Sequence, residues 1–106
     1  MNKLISTLKI TDKKLNSIQH LLKKNTYKDK ATLLYQGQRP VSAIFIHEGH
    51  VSIVKRKKVR KVIGPGYLIM FDEFLNKLSL KFDVEVESTT IISWLSIEAV
   101  QGLINN

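Results

Sequence analysis

Cysteine is absent from the 106 residues, which excludes disulfides, thiol nucleophiles and Cys-ligated zinc together. No run approaches the roughly 18 apolar residues of a membrane-spanning helix, so no span is expected. Met1 to Lys9 carries charge and lacks a long apolar stretch; no secretory leader is expected and the chain reads as cytoplasmic. Carboxylates are scarce too: nine Asp and Glu stand against 17 Lys and Arg, a net charge of +8. What is present is a 43% hydrophobic content, too high for a disordered chain, over a length suited to a single core.

A balance of +8 first suggests nucleic acid or an anionic membrane surface. The distribution qualifies that. Residues 1–30 carry net +6 and residues 31–66 another +6, whereas 67–106 carry −4 through Asp72, Glu73, Asp83, Glu85, Glu87 and Glu98 against Lys77 and Lys81. The densest run is Lys55, Arg56, Lys57 and Lys58, continuing through Arg60 and Lys61. Such runs are usually solvated hairpin tips, and the specific alternative is a surface for an anionic partner.

Leu15, Ile18 and Leu22 have the 3, 4 spacing of one helical face, with Thr11 or Asp12 placed to cap it. Residues 2–9 read as a separate short helix or an extended lead-in. Beyond Asn25 the pattern turns to short β-prone runs: Ala31–Tyr35, Ile44–Ile46, Val51–Val54, Val59–Ile63, Leu68–Phe71, Phe82–Val86 and Ile91–Leu95. Val51 and Ile53 match Val59 and Ile63 around the basic turn as a hairpin. Phe82, Val84 and Val86 alternate with Asp83, Glu85 and Glu87, a half-buried strand with one acidic face. Ser96 is placed to cap a last helix, Ile97–Ile104, with Val100, Leu103 and Ile104 facing inward. The expected architecture is mainly β with flanking helices, a single domain over 1–106: a helical lead-in over 1–24, a β-sandwich over 25–95 and a C-terminal helix over 96–106.

The punctuation of these runs is specific. Gln36-Gly37-Gln38-Arg39-Pro40, then Ala43-Ile44-Phe45-Ile46-His47-Glu48-Gly49-His50-Val51, then Gly64-Pro65-Gly66 resembles the cyclic-nucleotide-binding domain family, an antiparallel β-sandwich or jelly roll. The likeness covers about residues 11–106. Gly37, Gly49 and Gly66 would sit at corners where positive φ or close backbone approach excludes a Cβ. The resemblance implies that a short helix after the Pro-Gly turn opens with Gly-Glu, approaches the cyclic phosphate, and offers its glutamate to the ribose 2′-hydroxyl. An arginine about ten residues on would neutralise the phosphate.

This sequence departs from that cassette. Leu68-Ile69-Met70-Phe71 follows Tyr67, so the glycine position holds Met70 or, with a two-residue shift, Asp72. Glu73 reaches the ribose position only under the shift. No arginine follows Arg60, and Lys81 offers a point charge without the bidentate fork. Losing a charge-assisted pair costs about 1.5–3 kcal/mol, before any repulsion between Asp72 and a phosphate.

Other chemistries fare worse. His47-Glu48-Gly49-His50 lacks the helical His-Glu-x-x-His spacing and reads as turn histidines, with no metal expected. Ser and Thr are not framed as a nucleophile elbow, so no enzyme is expected. Met70, Phe71 and Phe74 either fill the core where a ligand would sit or form a partner-docking patch. Trp94 reads as core. The expectation is a stand-alone, non-enzymatic regulatory or adaptor module with no cofactor, acting through protein partners, with a homodimer through the terminal segments left open. The first alternative is a small cyclic-nucleotide receptor of weak affinity using Asp72, Glu73 and Lys81; the second is a nucleic-acid or anionic-surface binder using Lys55 to Lys61.

Overall fold

Thr11 sets where the first helix begins. Its backbone is extended (φ −74°, ψ 154°) and its side chain accepts from the Lys14 amide at 3.3 Å, capping α1, Asp12–Ser17. The helix is short because the Ser17 hydroxyl donates to the Lys14 carbonyl at 2.6 Å, diverting its last turn. A single 3-10 turn follows over Gln19–Leu21. The computed structural model describes residues 4–105, so Met1 to Lys3 and Asn106, within the expected lead-in and terminal helix, lie outside the described residues. Of that lead-in only part is helical. Thr7–Lys9 forms strand β1, and strand β2, Lys24–Tyr27, has already begun at its end.

The β-prone runs give β3 (Ala31–Leu34), β4 (Ala43–Glu48), β5 (Val51–Lys55), β6 (Lys58–Ile63), β7 (Tyr67–Ile69), β8 (Asp83–Val86) and β9 (Thr90–Leu95). Every pairing is antiparallel, in two sheets ordered β1-β7-β4-β9-β2 and β3-β8-β5-β6. One expected strand is corrected: Leu68–Phe71 is cut at Met70, and Phe71–Leu75 is helix α2. The expected hairpin forms with Val51 opposite Ile63, but its other match is corrected: Ile53 lies opposite Lys61, and Val59, opposite Val54, is exposed on the edge strand.

Strand β4 explains the layering. Ile44 and Ile46 face the interior between the sheets, with Val51, Ile53, Val84, Val86 and Ile92. Ala43 and Phe45 face the other way, into a second cluster with Leu68, Leu95, Ile18 and the terminal helix α3, Ile97–Ile104. Alternate residues are thus buried on both faces, which is why the run is apolar throughout rather than alternating. Ser96 caps α3 by accepting from the Ala99 amide at 3.3 Å. Val100 and Leu103 are buried and Ile104 half-buried, as its pattern required. Trp94 is half-buried against the inter-sheet cluster.

The β4–β5 corner needs glycine. Gly49 has φ +83°, and a Cβ there would lie 2.7 Å from Thr90 Cα and 2.8 Å from the Thr89 carbonyl oxygen, backbone atoms that cannot swing aside. Gly37 and Gly66 also have positive φ.

Candidate functional site

Strand β7 ends in a backbone reversal. Met70 is left-handed (φ 65°, ψ 16°) and fully buried, its side chain lying in the inter-sheet core. A docking patch that includes Met70 is therefore corrected: only Phe71 and Phe74 reach partial exposure, and both pack towards the helix-side cluster. Beyond the reversal α2 presents Asp72 and Glu73.

Beside α2 opens a cleft of about 650 Å³. Its walls are Phe71, Asp72 and Glu73 from α2, Leu78 to Phe82 from the loop before β8, and Leu4 and Ser6 from the lead-in. The three residues singled out for a modified nucleotide site, Asp72, Glu73 and Lys81, thus line one cleft. Asp72 and Lys81 are exposed; Glu73 is half-buried.

Glu73 is already engaged. The Ser6 amide donates to its carboxylate at 3.1 Å to Oε2 and 3.4 Å to Oε1, and the Ser6 hydroxyl donates to Oε1. In return Ser6 Oγ accepts from the Asp72 amide at 3.1 Å, and the Ser6 carbonyl accepts from the Met70 amide at 3.0 Å. Two orphan amides at the start of α2 are satisfied from a segment at the other end of the chain. Sequence reasoning missed Ser6, and no local pattern could have found it, because its partners are more than sixty positions away.

The basic hairpin stands next to this cleft. Arg56 and Lys57 form the tip, both with positive φ, while Lys58, Arg60 and Lys61 are exposed on the edge strand β6. Lys55 is only half-exposed: its Nζ lies 5.7 Å from the centre of the Phe82 ring, a cleft wall. Val54 pairs with Asp83, and Lys30 reaches Glu85 at 3.5 Å. Folding therefore sets cations beside the acidic segment that the linear charge tally held apart.

The histidines diverge. His47 is half-buried, not an exposed turn residue; its Nε2 is 2.7 Å from Ser93 Oγ and its ring meets Phe45 edge-on at 4.9 Å. Burial, with help from the Lys24 charge and against that of Glu48, lowers its pKa from 6.5. His50 is exposed, its backbone tied to Thr90 Oγ1. Among the described residues no His, Asp and Glu group is arranged to hold a metal ion.

The two sheets, the flanking helices and the short helix after the Pro65-Gly66 turn constitute the fold of cyclic-nucleotide-binding domains. Catabolite activator protein of Thermus thermophilus superposes with a TM-score of 0.71 at 16% identity, over 90% of this chain and 47% of that one. The N-terminal domain of a transcriptional regulator from Streptomyces coelicolor A3(2) gives 0.71 at 17%, over 91% and 70%. The regulatory subunit of a cAMP-independent protein kinase A from Trypanosoma brucei gives 0.71 at 20%, over 90% and 37%. The chain thus spans about half the length of the catabolite activator protein, 47%. No protein-family model matches the sequence, and no curated protein matches it. No helix among the described residues is long and apolar enough to cross a membrane.

Proposed function

We propose that the protein is a non-enzymatic regulatory module of cyclic-nucleotide-binding fold that acts through protein contacts and does not hold cyclic AMP or cyclic GMP in the usual way. The observation that carries this is the engagement of Glu73 by Ser6, amide and hydroxyl together. The left-handed backbone at Met70, a conformation that favours glycine, supports reading Met70 at the glycine position of the cassette. Phe71 would then stand at the glutamate position; under the two-residue shift Glu73 would stand there but is held by Ser6. The Met70 side chain fills the core beneath, and no arginine follows Arg60 to meet a phosphate. That this fold serves regulation without cyclic AMP is illustrated by the Trypanosoma brucei subunit, described as belonging to a cAMP-independent kinase.

Calorimetric titration with cyclic AMP and with cyclic GMP is the test. The expected result is no constant tighter than about 100 µM. One observation favours a second reading, a receptor with a modified cassette: Glu73 and Lys81 share a cleft. A micromolar constant abolished by Lys81→Ala would establish that receptor instead. Binding to the exposed cations of the hairpin by nucleic acid would show as a steep salt dependence lost when Lys55, Arg56, Lys57 and Lys58 become Ala.

A further inference from the structure

The lead-in bends at Leu4 and Ile5 and then runs as strand β1 along the sheet edge. Ile5 fills a socket in the inter-sheet core, Leu4 packs on the same cluster, and Thr7 to Lys9 ladder onto the outer edge of β7. Ser6 and α2 cap one another: the serine oxygen accepts from the Asp72 amide while Glu73 accepts from the serine amide and hydroxyl. This is a capping box divided between two distant segments. Among the described residues no cation pairs with Glu73, the one ion pair there being Lys30 with Glu85. Among the described residues this half-buried carboxylate is held by the neutral donors of Ser6. Ser6 is buried, and it immediately precedes a three-residue edge strand whose Leu8 is 37% exposed. Such short edge elements belong to the part of a structure that opens most easily.

We infer that residues 4–9 are a releasable strap, and that the groove beneath them is a docking site for an extended partner segment of the same pattern, an apolar residue followed by Ser or Thr. Such a segment adds to the β7 edge as a strand, places its apolar side chain in the Ile5 socket, and offers its own amide and hydroxyl to Glu73. The strap itself is what identifies the occupant, because it shows which backbone, apolar and polar groups the groove satisfies together. The inference deepens the proposed function, resting on a Glu73 that is not committed to a nucleotide.

The experiment uses a labelled peptide copying residues 4–10, titrated by fluorescence anisotropy into the full chain and into its Ser6→Ala variant. Weakening the resident strap lowers the effective concentration against which the peptide competes, so the variant should bind at least about tenfold more tightly than the wild type. A peptide carrying the same Ser→Ala change should lose that gain. Equal binding to both proteins, no binding to either, or indifference to the peptide serine would overturn the inference. Hydrogen exchange on the wild type tests it without any substitution: the Met70 and Asp72 amides, both bonded to Ser6, should exchange faster than those of Ile44 and Ile46. Exchange of all four at one rate would mean that the strap opens only when the whole domain unfolds, and the inference would fall. Tight cyclic-AMP binding by the wild type would remove the proposed function separately, leaving the peptide and exchange results to judge the strap.

Discussion

Met70 combines two opposed demands. Its side chain is wholly buried, which favours a large apolar residue, while its φ of 65° favours glycine. A Cβ in the left-handed region costs roughly 1–2 kcal/mol, and truncating a buried Met to Ala costs about 2–5 kcal/mol. The packing term is the larger, so methionine is the better compromise. Both Met70→Ala and Met70→Gly should therefore destabilise the domain in urea unfolding, but glycine less than alanine by about 1 kcal/mol, because only glycine regains the backbone term. An alanine variant as stable as the glycine one would show that the backbone there is unstrained. The same residue explains why the run from Leu68 to Phe71 misleads: four apolar residues spell a strand, and nothing local announces a reversal at a side chain as large as methionine.

At the scale of elements, the β5–β6 connection is a tight two-residue turn with Arg56 at φ 53° and Lys57 at φ 64°. Positive φ at both central positions suits the twist of a hairpin and is the natural place for Asn-Gly. The double substitution Arg56→Asn, Lys57→Gly should raise stability by about 1 kcal/mol in thermal or urea unfolding, and a loss of stability would contradict the turn geometry. The basic tip is thus kept at a conformational cost. The strands beside it were legible because Val51, Ile53 and Ile63 face a core in register. Helix α3 was legible because Ser96 stands at its cap before an apolar face. Strand β2 was not legible: Lys24 to Tyr27 is short, polar and at a sheet edge, so it owes its form to pairing with β9 rather than to its own pattern. The cleft was half legible. Glu73 and Lys81 were found by their place after the Pro-Gly turn, whereas Ser6 depends on a contact that only the closed fold creates.

Over the whole molecule, a net charge of +8 is opposed by a single ion pair among the described residues, Lys30 with Glu85, at 3.5 Å with its lysine exposed and its glutamate only 16% exposed. One such pair offsets little of the excess, so self-repulsion of the lysines and arginines should dominate the electrostatic effect on stability. Raising ionic strength from about 0.01 M to about 0.15 M shortens the screening length from about 30 Å to about 8 Å, less than the distance across a domain of this size. Tm should therefore rise with added sodium chloride over that range, measured by calorimetry, and a fall would reveal that specific attractions outweigh the repulsion. The sheet order carries a different consequence. β9 lies between β4 and β2, and β4 in turn joins β9 to β7, so the middle of this sheet is sealed by a strand from the far end of the chain. A growing polypeptide must hold β4, with its two apolar faces, unpaired on that side until Leu95 has been made. Assembly is then late, cooperative and dependent on distant partners, a timetable that leaves the whole chain ahead of β9 in need of protection before it can close.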